Sequence, residues 1–166
     1  MGTWLQRMAS ALGLADHDRP DTQDPAPNNT VGMAVLVIDD DAEFLTTIRS
    51  LLMAHGFEVY TATSGPKGLN ILVNAPENLR VLLLDYRMPG FDGAKTLQYV
   101  HQVRPKIKVI AVTAVGYDQL PAEFRDGVER VISKPFRTED LVAAIEEIIS
   151  GPTRAVEPVR SPAASP

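Results

Sequence analysis

The 166-residue sequence has no cysteine, which excludes disulfide bonds and thiol chemistry. No apolar run approaches the roughly 18–20 residues of a membrane-spanning helix, and no basic region followed by a long apolar stretch marks a secretory signal. Its 16 basic residues are outnumbered by 21 acidic ones and form no basic stripe, which argues against direct nucleic-acid binding. We therefore expect a cytoplasmic protein with no membrane span.

The two ends of the chain differ from its middle. The first fifteen residues place apolar side chains at helical spacing, at Met1, Leu5, Met8 and Leu12, with Trp4 beside them. Two interpretations are open: a frayed tail helix, or a helix that docks on a partner, a membrane surface or a second copy. Residues 16–30 and 151–166 are rich in proline and lack any period, which is typical of disorder. We therefore divide the chain into an N-terminal tail (1–30), a domain (31–150) and a C-terminal tail.

Strand and helix patterns alternate through the middle of the chain. Short apolar or β-branched segments predict strands at 33–38, 58–62, 80–84, 107–113 and 130–133. Amphipathic segments predict helices at 42–56, 64–75, 94–104, 118–126 and 138–150. The fourth helix is weak because it contains Pro121. Five consecutive strand–helix units predict an α/β fold, with a doubly wound, five-stranded parallel sheet covered on both faces.

Reactive side chains follow the ends of four predicted strands, and such ends share one edge of a parallel sheet. They are Asp39, Asp40 and Asp41 after the first strand, Asp85 after the third, Thr113 in the fourth and Lys134 after the fifth. Clustered carboxylates are unfavourable without a cation, and oxygen ligands of this kind suit Mg²⁺. A hydroxyl and an ammonium opposite them would bind phosphoryl oxygens. The pattern predicts a site that moves a phosphoryl group onto or off a carboxylate.

Several nearby residues have more ordinary interpretations. Asp41 directly precedes a helical pattern, so we expect it to cap that helix rather than bind metal. Asp92 is expected to cap the third helix in the same way, and Met88 is expected to pack in a turn. None of the three histidines is expected to be a metal ligand or a phosphate carrier. They are His17, His55 and His101.

Four stretches, "VLVIDDD", "VLLLDYRMPGFDG", "AVTA" and "SKPF", together resemble the receiver domain of two-component response regulators. The resemblance covers roughly residues 33–150 and implies a flavodoxin-like (βα)5 fold. It implies that Asp85 accepts a phosphoryl group from a sensor histidine kinase or a histidine phosphotransfer protein. By the same resemblance Mg²⁺ is held by Asp40, Asp85 and the Arg87 backbone carbonyl directly, and by Asp39 through water. The resemblance further assigns Thr113, Ala114 and Lys134 to phosphoryl binding, and implies a cis peptide between Lys134 and Pro135.

The sequence departs from the receiver pattern at the position three residues before the lysine, where many receivers carry a switching aromatic. Here that residue is Val131, so the switch is expected to run through Thr113 and the loop after it. Tyr117 is either a substitute for the missing ring or an ordinary surface aromatic. Arg87 and Val115 offer little means of positioning a hydrolytic water, which gives slow autodephosphorylation as a hypothesis.

We expect a non-enzymatic switch that signals through protein–protein contacts to an unknown downstream target. Only 16 residues follow residue 150, too few for an output domain, so a stand-alone receiver is predicted. One alternative is a haloacid-dehalogenase-type phosphatase using Asp39 and Asp41. That reading leaves Asp85 unexplained, and the late acids Glu139 and Asp140 fall at a helix start. Another alternative is an inactive receiver-like scaffold.

Overall fold

The structure is a computed structural model that describes residues 32–150. The predicted N-terminal helix and linker, residues 1–30, lie outside the described residues, as does the tail from 151 to 166. The division of the chain into a domain and two tails therefore stays a prediction.

Among the described residues, five parallel strands form one sheet in the order β2-β1-β3-β4-β5. They are β1 Ala34–Ile38, β2 Glu58–Ala62, β3 Leu79–Leu84, β4 Lys108–Thr113 and β5 Arg130–Ser133. Every predicted strand is present within one residue at each end, and the predicted α/β, doubly wound flavodoxin-like fold is confirmed. The order reverses beside β1, so the carboxyl ends of β1 and β3 lie together at the switch point, where ligands bind in such sheets.

In the part of the chain that the structure describes, five α-helices connect or follow the strands. They are α1 Ala42–Ala54, α2 Gly65–Asn74, α3 Gly93–Val103, α4 Ala122–Asp126 and α5 Thr138–Ser150. Within residues 32–150, none of the helices is long and apolar enough to cross a membrane.

The predicted fourth helix, 118–126, is wrong in its first half. Residues Tyr117–Gln119 form a 3₁₀ turn instead, and α4 begins only at Ala122. Pro121 is the reason: a proline disfavours the helical conformation in the residue before it, and Leu120 is extended with ψ 137°. The result is a five-residue helix preceded by an irregular segment.

The core lies on both faces of the sheet. Leu36 and Ile38 of β1 belong to one buried cluster, and Val35 and Val37 belong to the other. Side chains alternate between the faces of a strand, so a central strand covered on both sides must be apolar at every position. This requirement explains the unbroken apolar runs of β1 and β3.

Side-chain caps fix where the helices near the sheet's carboxyl edge begin. The Asp41 carboxylate accepts hydrogen bonds from the backbone N–H groups of Glu43 and Phe44. The Asp92 carboxylate accepts one from Lys95. Both residues are therefore caps, as the sequence predicted.

Candidate functional site

Three carboxylates meet at the carboxyl edge of β1 and β3. The Asp85 backbone N–H donates to the Ile38 carbonyl at 2.9 Å, which holds the loop after β3 against the end of β1. Asp39, Asp40 and Asp85 each offer an oxygen, and these oxygens lie within 4.8 Å of one another. Asp39 and Asp85 are 2% and 8% exposed, whereas Asp40 is open to solvent. The structure thus brings together three acids that the sequence placed at strand ends.

Lys134 enters this acid cluster from β5. Its backbone N–H donates to the Thr113 carbonyl at 2.8 Å, and its ammonium lies 2.5 Å from Asp39 Oδ2. The peptide between Lys134 and Pro135 is cis, as the family resemblance implied. Asp39 and Lys134 lie 95 positions apart in the sequence. They come together because β1 and β5 end at the same edge of the sheet.

Thr113 closes the buried side of the site. It is fully buried, its hydroxyl donates a hydrogen bond to the Asp85 carboxylate, and its oxygen accepts one from the Val115 N–H at 3.2 Å. The threonine therefore connects the acid directly to the loop after β4.

Burial raises the pKa of Asp85 above the ordinary 3.8 of an aspartate, and the negative charge of Asp39 raises it further. Hydrogen bonds from the Thr113 hydroxyl and the Arg87 backbone, together with the charge of Lys134, act in the opposite direction. Desolvation is the largest of these effects, because a buried carboxylate loses the water that stabilises its charge.

The donor set fits a small, hard divalent cation. Three carboxylates and one ammonium leave this group of side chains with two negative charges when all are ionised. Mg²⁺ would balance that charge, and it is commonly held by one or two carboxylates while keeping several waters. The Arg87 backbone faces Asp85, and the role of its carbonyl as a ligand stays a prediction.

Asp41 supports the site without joining the acid cluster. Its side chain caps α1, and its backbone N–H donates to Asp39 Oδ1 at 2.9 Å. The Lys134 ammonium contacts Oδ2, so each oxygen of Asp39 has a hydrogen-bond donor.

The proposed switch residues surround the loop after β4. Ala114 is exposed and Val115 is buried. Val131 is 2% exposed and belongs to the core, so its side chain is already enclosed. Tyr117 is half-buried, and the Arg125 guanidinium lies 4.9 Å from the centre of its ring. Their roles in switching stay predictions.

Sequence reasoning missed two residues at this site. Phe44 lies within the predicted first helix and received no role in the site, yet its ring centre lies 3.9 Å from the Lys134 ammonium. Gly93 received no role from the sequence, yet a Cβ there would lie 2.4 Å from the Asp85 carbonyl oxygen. The position of Phe44 in the first turn after the acids was the available clue.

A parallel sheet with these acids, a threonine and a lysine at its carboxyl edge is the architecture of a phosphorylation-dependent signalling domain. The family model described as "Response regulator receiver domain" matches residues 35–146. The chain belongs to the response regulator receiver family, and the resemblance seen in the sequence is confirmed.

Curated relatives are longer than this chain. A CpxR homolog of Haemophilus influenzae is 34% identical over 118 residues, which cover 69% of this chain and 49% of that protein. NtrC of Klebsiella pneumoniae is 30% identical over 131 residues, covering 78% of this chain and 28% of that protein. The chain thus spans about half or less of the length of these curated relatives. The absence of an attached output domain stays a prediction, as does a cytoplasmic location.

Solved receiver domains share the fold. One from Clostridium thermocellum is 32% identical with a TM-score of 0.65, covering 70% of this chain and 94% of that one. A CheY-like receiver from Methanospirillum hungatei is 27% identical with a TM-score of 0.65, covering 72% and 94%. The match to the receiver family argues against the alternative of a haloacid-dehalogenase-type phosphatase. That alternative also requires Asp41 as its second acid, whereas Asp41 caps α1.

Proposed function

We propose that Asp85 accepts a phosphoryl group from a histidine kinase or a histidine phosphotransfer protein in a Mg²⁺-dependent reaction, and that the domain then signals through protein–protein contacts. The observation that carries the proposal is that three carboxylates lie within 4.8 Å of one another and that the Lys134 ammonium contacts one of them, Asp39. A strand end that served only the core would have no use for this arrangement.

Each residue has a definite task in this transfer. An Asp85 carboxylate oxygen forms the new P–O bond while the P–N bond to the donor imidazole breaks. Asp40, Asp85 and the Arg87 carbonyl would hold Mg²⁺ directly, and Asp39 would assist through water. The metal, when bound, neutralises charge on the phosphoryl oxygens. The Lys134 ammonium would pair with a phosphoryl oxygen.

The Thr113 hydroxyl is placed to report the new group. It donates a hydrogen bond to Asp85, and a phosphoryl oxygen on Asp85 would offer it a stronger, charged acceptor. The proposed domain is therefore a switch rather than an enzyme with a separate substrate. Its downstream target is a protein whose identity the site does not specify.

Incubation with acetyl phosphate and Mg²⁺ tests this proposal. The protein should gain one base-labile, hydroxylamine-sensitive phosphate, and EDTA or Asp85→Asn should abolish the gain. Asp92→Asn is the matched control, because Asp92 lies in the same loop but caps α3, and it should leave the reaction intact. Labelling that persists on Asp85→Asn, or that appears on a histidine, would overturn the assignment.

A further inference from the structure

The Lys134 ammonium has two partners on different elements. One is Asp39 Oδ2, at 2.5 Å. The other is the ring of Phe44, whose centre lies 3.9 Å away. A cation within about 6 Å of a ring centre is attracted to the electron-rich face, more strongly where water is scarce. The Lys134 side chain is 21% exposed, so this contact is partly shielded from solvent.

The ring of Phe44 is held in place independently of the lysine. Its own backbone N–H donates to Asp41 Oδ1 at 3.0 Å, within the cap that starts α1. The ring also meets Phe136 edge to face, with centres 6.2 Å apart and planes at 87°. Phe136 follows Lys134 by two residues, so the lysine and the ring that orients Phe44 belong to one short segment.

We propose that Phe44 is a positioning residue for Lys134, keeping the ammonium at the rim of the acid cluster when a metal ion claims Asp39. The inference rests on the proposed function of Asp85. In the metal-free site the negative charges of Asp39 and Asp85 attract the ammonium. A divalent cation among the acids cancels that attraction and repels Lys134, which leaves the ring as the contact that keeps the ammonium available to a phosphoryl oxygen.

This role predicts that loss of the Phe44 ring affects the binding of Mg²⁺ and of beryllofluoride differently. Without the aromatic face, Lys134 turns toward solvent when Mg²⁺ binds, so repulsion between the two cations falls and Mg²⁺ binds as well as before or more tightly. Beryllofluoride, a phosphoryl mimic, then meets no ammonium in place and binds more weakly. General damage to the site would weaken both ligands together.

The test is calorimetric titration of Phe44→Leu with Mg²⁺ alone, and then with beryllofluoride at saturating Mg²⁺. We expect beryllofluoride affinity to fall about three- to tenfold, the range of a shielded cation–π contact, with no loss of Mg²⁺ affinity. Phe44→Tyr should restore beryllofluoride affinity because it keeps the ring. Phe57→Leu is the control: Phe57 packs on the same apolar cluster as Phe44 but follows the other end of α1, and both affinities should stay unchanged.

A metal-free measurement tests the contact itself. The ε-methylene protons of Lys134 should show an upfield ring-current shift that Phe44→Leu removes and Phe57→Leu keeps. Equal loss of Mg²⁺ and beryllofluoride affinity, or wild-type beryllofluoride affinity in Phe44→Leu, would overturn the positioning role while leaving Asp85 as acceptor. Failure of the wild-type protein to bind beryllofluoride at Asp85 would instead overturn the proposed function.

Discussion

Asp85 lies buried beside Asp39 and close to Asp40, and its pKa is raised, first by burial and then by the charge of Asp39. A carboxyl group whose pKa is higher in the folded than in the unfolded state favours folding when it is protonated. That contribution is complete below the unfolded value and is lost as pH rises through the raised folded pKa. At neutral pH the ionised acid therefore lowers the stability of the metal-free domain.

Removing one charge should relieve this effect. We predict that Asp85→Asn, and to a smaller extent Asp40→Asn, raises the melting temperature at pH 7 in EDTA by a few degrees, since about 1 kcal/mol corresponds to roughly 4 °C in a domain of this size. Millimolar Mg²⁺ should stabilise wild type more than either variant, because ligand binding stabilises the folded state by mass action. Calorimetric melting in EDTA and in Mg²⁺ provides the measurement.

The pH series is the internal control for that result. The gain from Asp85→Asn should be full above the raised pKa of Asp85 and should vanish as pH falls toward 3.8, the ordinary value for an aspartate. If both variants melt below wild type in EDTA and keep the full Mg²⁺ shift, the three acids do not form one metal site.

Gly93 presses against the backbone that carries Asp85. A Cβ at this position would lie 2.4 Å from the Asp85 carbonyl oxygen and 2.6 Å from the Tyr86 Cα. Because both atoms belong to the backbone, the loop must move to accommodate it. We predict that Gly93→Ala lowers the free energy of unfolding by about 1–3 kcal/mol and slows phosphorylation by acetyl phosphate, as measured by urea unfolding and phosphate uptake.

Gly116→Ala is the matched control. The nearest atoms to a Cβ at Gly116 belong to the Gln119 side chain, at 3.8 Å and beyond, and the φ of Gly116 is −58°. This variant should leave both stability and phosphorylation close to wild type. If Gly93→Ala keeps wild-type stability and phosphorylation, as expected of Gly116→Ala, the loop carrying Asp85 tolerates displacement.

Asp41, at the start of α1, is a capping residue and does not belong to the acid cluster. The Asp41 carboxylate accepts from Glu43 and Phe44 and is not among the three clustered acids. We predict that Asp41→Ala lowers the free energy of unfolding by about 1 kcal/mol, while the added stability conferred by Mg²⁺ is unchanged. Asp41→Ser should restore stability because serine also caps helices. Loss of the Mg²⁺ effect in Asp41→Ser would make Asp41 a ligand instead.

The segment from Thr113 to α4 is the element expected to carry the signal. Val131 is buried and has no aromatic ring that could rotate. The Thr113 hydroxyl, by contrast, is hydrogen-bonded to both Asp85 and the Val115 N–H. Movement of the hydroxyl toward a phosphoryl group should therefore displace Val115 and the irregular segment beyond it.

We predict that beryllofluoride shifts amide resonances most strongly around Asp85 and from Thr113 through Tyr117 into α4, as measured in ¹H–¹⁵N spectra. Val131→Ala should leave this pattern in place, since no aromatic rotation is involved. Shifts confined to the immediate site, with none beyond residue 115, would refute this route.

The elements that could be predicted from the sequence are those whose burial leaves little choice. β1 and β3 are covered on both faces, which requires continuous apolar runs, and Asp41 and Asp92 occupy cap positions that follow from local pattern. The segment before α4 could not be predicted as well, because Pro121 competes with a weakly helical composition. Propensity alone does not decide where such a helix begins.

The same distinction applies to the candidate site. Strand order brings Asp39, Asp85, Thr113 and Lys134 to one edge, so their proximity could be predicted from consecutive strand–helix units. The contact of Phe44 with Lys134 could not, because it depends on the side-chain conformations of residues far apart in the sequence. The close contact between Gly93 and the backbone of Asp85 and Tyr86 likewise could not be predicted, because it depends on how α3 packs against the loop after β3.

At the scale of the whole molecule, the sheet makes one site from residues on four strand ends. Asp85 combines burial, a raised pKa and hydrogen bonds from both Thr113 and the Arg87 backbone. The central claim is that these features mark Asp85 as the residue that receives the phosphoryl group, with Asp39 and Asp40 acting on the metal.

The most direct test is to locate the phosphate chemically. After reaction with acetyl phosphate and Mg²⁺, borohydride reduces an aspartyl phosphate to homoserine, which peptide mass spectrometry assigns to a position. The account predicts homoserine at Asp85, absent when EDTA replaces Mg²⁺. Homoserine at Asp39 or Asp40, or uptake that persists in EDTA, would contradict it.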